Sequence, residues 1–203
     1  MTCDLVSRLI DEGPLVLGSG SPRRRRILEG LGLEFIVDPP DVPEDALPDE
    51  GPREHVSRLA CDKARRVASR YERATVLAAD TIVWIDGHIL GKPRDAEEAR
   101  TMLITTRGRW HEVYTGLSVA RASDGALRSG HEVTRVLMRD LSDHEVELYV
   151  ESGEPLDKAG SYAIQDCGSA VVERVEGCFY NVVGLPVVRM CCLLEELASV
   201  ESL

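Results

Sequence analysis

The sequence predicts an α/β fold built on a mixed β-sheet. Three observations point there. Short apolar runs alternate with longer segments whose apolar residues recur at helical spacing. Asp86-Gly87, set between two apolar runs, is a two-residue hairpin signal that adds antiparallel pairing to the strand–helix alternation. The composition, 43% hydrophobic and 29% charged over 203 residues, is that of a globular chain able to bury a core without disulfides or a structural metal. The length suits one domain, or two small lobes sharing a core.

In chain order, Pro14-Leu15-Val16-Leu17 reads as a short apolar strand that breaks at Gly18-Ser19-Gly20-Ser21. Ser21 is placed as an N-cap, with Pro22 at the first helical position. Ile27, Leu28 and Leu31 give that helix an apolar face, and Gly30 or Gly32 ends it. Glu34 to Val37 is a second strand. The acidic, proline-rich connection from Asp38 to Pro52 is the longest loop, a length that is often functional. Arg53 to Tyr71 reads as a helix. Thr75 to Ala79 is a buried strand predicted to end at Asp80, and Ile82–Ile85 and His88–Leu90 flank the hairpin turn. Asp95, with Glu98 three residues on, caps a helix running to about Thr106. Val113–Ala120 and Glu132–Arg139 are long strands joined near Asp124-Gly125. A capping box at Ser142 to Glu145 opens a helix that ends at Gly153. A loop from Glu154 to Gly168, a strand from Ala170 to Val175 and a helix from about Pro186 to Leu197 complete the chain.

The net charge of −11 argues against a non-specific nucleic-acid binder, whose affinity comes from basic charge on phosphates. No apolar run approaches the ~18 residues of a membrane span. Met1 to Gly13 carries acids and lacks a signal peptide's basic start and apolar stretch. Cys3, Cys61, Cys167, Cys178, Cys191 and Cys192 form no CxxC and no zinc spacing, which suits idle thiols in a reducing compartment. His111 and His131, each followed by Glu-Val, read as alternating surface positions of strands.

Four segments carry candidate chemistry. Gly18 to Arg26 places a glycine/serine turn between a strand and a helix N-terminus, an anion-binding arrangement. Ser19 and Ser21 supply hydroxyls there, and Arg23 and Arg24 supply guanidinium forks that suit phosphate. The alternative is a capped helix with a solvated basic face. The segment is neither a Walker A loop nor a dinucleotide fingerprint. Asp80, at the carboxyl end of an apolar strand, stands where open α/β sheets bind ligands, and it suits a divalent cation or a proton from water. Its alternative is a turn cap. Lys92 precedes a helix and is either a phosphate contact or a solvated turn lysine. Lys63 lies near an apolar stripe, as a snorkelling lysine or a charge aimed into a cleft. Gln165 carries a donor and an acceptor, able to read a base edge or to serve as an ordinary loop amide. Together these features are equipment for phosphoanhydride chemistry, which relies on positioning and charge stabilisation.

The residues also resemble a known family. Leu17 to Arg24 with Leu28 and Leu31-Gly32 is similar to the opening signature of the Maf-like nucleoside triphosphate pyrophosphatases. Arg58-Leu59-Ala60-Cys61-Asp62-Lys63-Ala64, Ala79 to Val83, Gly91 to Ala96, Tyr114-Thr115-Gly116, Glu154 to Gly160 and Asn181 to Pro186 follow in that family's order. The resemblance covers roughly residues 14 to 198 and reads the whole chain, 1–203, as a single Maf-like domain. It implies an inosine-triphosphatase-like fold: an elongated mixed sheet flanked by helices, with two lobes around a central cleft. It implies a cytoplasmic enzyme, often a homodimer, that hydrolyses a nucleoside triphosphate to monophosphate and pyrophosphate with Mg²⁺ or Mn²⁺. No nucleic-acid or membrane partner is expected.

Carried over by position, Asp80 matches the proposed catalytic proton acceptor. Arg24, Thr81 and Gln165 match positions linked to base specificity. Ser19, Arg23, Glu44, Lys63 and Lys92 match positions around the triphosphate and metal, with Glu44 and Asp80 as the metal candidates; base or metal ligand stays open for Asp80. Thr81 and Gln165 resemble the branch that accepts dTTP and UTP, with CTP or modified pyrimidine nucleotides as further substrates and pool house-cleaning as the role. The 7-methyl-GTP branch carries a Glu where Gln165 stands. The loop Pro39 to Pro43 departs from the family pattern, and Ala163 and Asp166-Cys167 replace glycines common there. Competing readings are a non-catalytic nucleotide-binding regulator of septum formation, and a pyrophosphatase for 7-methyl-GTP or other modified nucleotides.

Overall fold

The computed structural model describes residues 4–10 and 13–199; Cys3 lies outside them. In chain order the elements are α1 (Asp4–Ser7), β1 (Leu15–Leu17), α2 (Pro22–Gly30), β2 (Phe35–Val37), α3 (Pro52–Ala68), β3 (Thr75–Ile85) and β4 (His88–Leu90). They continue as α4 (Ala96–Thr106), β5 (Trp110–Arg121), β6 (Leu127–Met138), α5 (Asp143–Glu151), β7 (Val172–Glu176), α6 (Phe179–Val183) and α7 (Val187–Ala198). The strands form one seven-stranded sheet in the order β2-β1-β3-β5-β6-β7, with β4 pairing with β3. The sheet is mixed: β1 runs parallel to β2 and β3, while β4 is antiparallel to β3 and β7 to β6.

The chain divides into two compact units, and β3, β5 and β6 each contribute to both. Unit 1 comprises residues 1–80, 115–132 and 184–203. Its inner cluster is made of small side chains: Val16, Val76, Ala78 and Ala120 from strands, with Ala64, Val67 and Ala68 from α3. Small residues let the helix backbone come close to the sheet. Gly116 in β5 is the extreme case, since a Cβ there would stand 2.0 Å from the Val56 carbonyl oxygen in α3. Unit 2 comprises residues 81–114 and 133–183. Its core is bulkier, with Leu103 from α4, Val113, Val136 and Met138 from strands, and Tyr149 and Val150 from α5 packed with Tyr162.

Local signals act as their chemistry requires. Asp95 accepts a bond from the Glu98 amide, and Ser142 and Glu145 close a reciprocal capping box. Asp86 and Gly87 take φ of 51° and 80°, the pair of left-handed residues that a type I′ hairpin needs. Gly32, at φ 68°, follows the end of α2.

Three expectations are corrected. Thr75 to Ile85 is one continuous strand, so Asp80 lies in mid-strand rather than at a strand end. The β-branched Thr81-Ile82-Val83 continue the extended backbone, and no glycine or proline interrupts it. His111 is buried, not a surface residue: β5 is covered on both faces, and alternation then exposes neither. Its Nε2 lies 2.7 Å from the Tyr162 hydroxyl, and burial lowers its pKa to about 4. Ser21 sits at the N-cap, but its side chain makes no capping bond. All five described cysteines are free, and among the described residues no helix is long and apolar enough to cross a membrane.

Gly116→Ala is expected to destabilise the protein by roughly 3 kcal/mol, because two backbones would have to separate to admit one methyl. For this chain length that lowers the thermal midpoint by about 10 °C. An unchanged midpoint in calorimetry would contradict the packing of α3 on β5.

Candidate active site

The site in unit 1 begins where β1 ends. From β1 the chain crosses to β2 on one side, then returns through α3 to β3 on the other, so β1 stands at the point where strand order reverses. In parallel sheets the backbone groups beyond such a strand end are left open to a ligand. The turn Gly18–Ser21 occupies that place, and α2 starts directly after it.

Within the turn, Ser19 does what Ser21 does not. The Ser21 amide donates to the Ser19 hydroxyl at 3.3 Å, and the buried Arg24 donates to the same oxygen at 2.9 Å. Arg24 reaches further, donating to the Ala79 carbonyl at 2.8 Å and the Gly184 carbonyl at 2.8 Å. Its fork therefore binds turn, strand and chain backbone, and ties Ser19 to the residue just before Asp80. Burial lowers its pKa to about 10, and the nearby Asp80 carboxylate opposes that shift; the group stays a cation at neutral pH. Ser21 and Arg23 are half-buried beside it on the turn and the first helical turn.

Asp80 and Lys63 form the centre. Lys63 projects from α3 into the protein, and its Nζ donates to Asp80 Oδ1 at 2.7 Å, with only 10% and 11% of the two side chains exposed. The same Nζ lies 2.5 Å from Glu44 Oε1, a carboxylate 58% exposed on the long loop. One ammonium thus joins a strand acid to a loop acid. A buried lysine must be paired, because an isolated ammonium away from water costs several kcal/mol. Lys63 does not snorkel to solvent: its ammonium is held between the Asp80 and Glu44 carboxylates.

Three residues to which the sequence reading gave no role, Glu50, His55 and Arg58, hold that loop in place. Arg58 grips the Glu50 carboxylate with Nε at 2.6 Å and Nη2 at 2.8 Å, and Nη2 also donates to the Asp45 carbonyl at 3.0 Å. Glu50 Oε2 accepts from the Leu47 amide at 3.1 Å and lies 2.9 Å from His55 Nδ1. The clasp fixes the residue next to Glu44. Arg58 holds Glu50 far below the usual carboxylate range, down to about 2, with the Leu47 amide and His55 adding to the effect. The signal was present as His55 and Arg58, one turn apart on a helix that starts just after Glu50.

Unit 2 carries the other candidates. Thr81 follows Asp80 in β3 and is half-buried. Lys92 is exposed, ahead of α4. Gln165 is half-buried between two 3₁₀ turns, Ala159–Ser161 and Asp166–Ala170. Asp166 takes φ 54°, a left-handed conformation that glycine would adopt without strain. Unit 1 brings Ser19, Arg24, Glu44, Lys63 and Asp80 into one connected set.

A family model described as Maf-like protein matches residues 14–197. A protein of Symbiobacterium thermophilum named dTTP/UTP pyrophosphatase is 46% identical over 182 residues, covering 90% of this chain and 93% of that one. Proteins of the same name from Myxococcus xanthus and Anaeromyxobacter dehalogenans are 49% and 50% identical. They cover 91% and 89% of this chain, and 93% and 92% of their own length.

The clasp has a signed pH dependence. Glu50 titrates near 2 in the fold against an ordinary 4.5, so it binds protons more weakly folded than unfolded. Its stabilisation is complete above the unfolded value and disappears as pH falls through the folded one. Urea unfolding of wild type and Glu50→Gln across pH 7 to about 2.5 is expected to give curves that converge toward low pH. Curves that stay parallel would show that Glu50 titrates alike in both states and that its charge contributes nothing to the clasp.

Proposed function

The chain belongs to the Maf-like protein family, and from that membership we propose that it hydrolyses nucleoside triphosphates to monophosphate and pyrophosphate, with dTTP and UTP as preferred substrates. The observation that carries the reading is the buried Lys63–Asp80 pair, 2.7 Å apart, in the same unit as the Ser19–Arg24 turn. Relatives at 46% to 50% identity named dTTP/UTP pyrophosphatase support the choice of bases over 7-methyl-GTP. A Gln at 165 also fits a uracil or thymine edge, accepting from N3–H and donating to O4.

In this reading the turn from Ser19 to Arg24 receives the triphosphate at a strand end and a helix N-terminus. Arg23, Lys63 and Lys92 balance its charge, and Ser21 adds a hydroxyl. Arg24 keeps Ser19 and the backbone before Asp80 in fixed register. Asp80 orients a water, or takes its proton, for in-line attack on the α-phosphorus. The new bond joins the water oxygen to the α-phosphorus, the bond to the bridging oxygen breaks, and pyrophosphate leaves with that oxygen. Thr81 and Gln165 are assigned to the base.

The donor set fits a divalent ion. Glu44 and Asp80 are hard oxygen ligands converging on one cationic position, now shared through Lys63. Among the described residues no group of three His, Cys, Asp or Glu forms a metal cage. Two carboxylates suit Mg²⁺ or Mn²⁺, which take one or two and complete their shell with phosphate and water oxygens. Bound there, the ion would neutralise phosphate charge. The same reading extends to a cytoplasmic homodimer acting on free nucleotides.

The test is pyrophosphate release with Mg²⁺ or Mn²⁺ from dTTP, UTP, CTP, GTP, 7-methyl-GTP and ITP. Release is expected to be fastest from dTTP and UTP, and to fall about 10²–10⁴-fold in Asp80→Asn. That variant keeps Lys63 paired with Glu44, so its fold should survive. Near-normal turnover in Asp80→Asn would sink the catalytic assignment. Release confined to 7-methyl-GTP would keep the chemistry and overturn the base assignment, and tight binding without release would point to a regulator.

A further inference from the structure

Gln165 lies between two 3₁₀ turns, outside any strand ladder or α-helix, yet its backbone is held on both sides. Glu154, which opens the 3₁₀ turn Glu154–Asp157, accepts three hydrogen bonds through one carboxylate. Oε2 takes the Cys167 amide at 3.1 Å, and Oε1 takes the Gly168 amide at 3.0 Å and the Tyr149 hydroxyl at 2.9 Å. The Tyr149 oxygen accepts in turn from the Ala163 amide at 3.1 Å. The tethers therefore grip the chain two residues before Gln165 and two and three residues after it.

Other features of the loop agree. Gly168 admits no side chain: a Cβ would stand 2.2 Å from the Ala163 carbonyl oxygen and 2.7 Å from the Tyr149 hydroxyl. The two arms of the loop thus press together around the tyrosine. Ser161 and Asp166 hold left-handed backbone, at φ 60° and 54°, which persists only where neighbours over-determine it. Burial raises the Tyr149 phenol above its ordinary value, so it remains a donor to Glu154 at neutral pH. The phenol ring is locked in the unit's core with Val146 and Val150.

We infer that Glu154 and Tyr149 are positioning residues for base selection: they hold the Gln165 backbone so that its amide meets the base edge in one place. The inference rests on the reading of Gln165 as the residue that reads the base. Hydrogen-bond readout works only within a few tenths of an ångström, and a loop amide without such anchorage would accept several edges poorly instead of one well. The clamp spends a full carboxylate on three donors, two of them backbone amides that nothing in a helix or sheet would otherwise satisfy. Neither residue belongs to unit 1, where Asp80 and Lys63 lie. Loosening the clamp should therefore act on substrate choice and leave the hydrolytic step alone.

The experiment compares Tyr149→Phe, Glu154→Gln and Gln165→Ala with wild type, using UTP and CTP with Mg²⁺. Tyr149→Phe keeps the ring in the core; Glu154→Gln keeps one acceptor oxygen. Each is expected to lower kcat/KM for UTP about tenfold through KM, with kcat within about twofold and CTP little changed. The preference for UTP over CTP then shrinks by the same factor, as it does in Gln165→Ala. If Gln165→Ala loses the preference but both clamp variants retain it, the positioning role is overturned and the base reading stands. If Gln165→Ala keeps the preference, the base reading falls and the clamp's purpose falls with it. A clamp variant that lowers kcat equally for both nucleotides would mark a general structural role and also overturn the inference.

Discussion

A lysine ammonium buried against a strand carboxylate is the constraint on which the site depends. Lys63 cannot sit inside the protein without an acid, and Asp80 cannot sit in mid-strand among Ala78, Ala79, Ile82 and Val83 without a cation. Each makes the other tolerable. Such a pair adds little net stability, because desolvation offsets most of the attraction. What it does add is geometry: one carboxylate on a strand, one ammonium on a helix, and a second carboxylate, Glu44, drawn in from a loop.

The second buried cation serves the same end by another route. Arg24 comes from a run of four arginines at a helix start, where the helix dipole disfavours positive charge. Its fork is committed to Ser19 and to two backbone carbonyls, while Arg25 pairs with Glu29 on the outside of α2. The basic run is thus divided between a structural brace, a surface pair, a half-buried Arg23 and an exposed Arg26. Preorganisation of this kind favours catalysis by positioning, the kind of catalysis phosphoryl chemistry requires.

Where neighbouring residues decide the conformation, the sequence was legible. Asp95 with Glu98, Ser142 with Glu145 and Asp86-Gly87 each act through bonds spanning two to four residues, and each appears as read. The turn after β1 forms where it was read, but the Ser21 cap does not, and Arg24 braces the turn through Ala79 and Gly184, far along the chain. What escaped depends on partners far along the chain. Asp80 reads as a strand end because an acid rarely continues an apolar strand; Lys63, seventeen positions away, makes it possible. His111 reads as exposed because strict alternation assumes one wet face, and β5 has none. The Glu50–Arg58 clasp and the Glu154–Tyr149 clamp both place a carboxylate on backbone amides of a loop. No periodicity announces such contacts, although a lone acid beside a long loop is the place to look for them.

In the proposed mechanism, water positioned by Asp80 attacks the α-phosphorus. Hydrolysis of UTP in ¹⁸O-labelled water, followed by mass spectrometry of both products, tests it directly. The arrangement predicts label in the phosphate of the monophosphate and none in pyrophosphate. Label in pyrophosphate, or release of labelled orthophosphate, would place the attack on another phosphorus and contradict the mechanism.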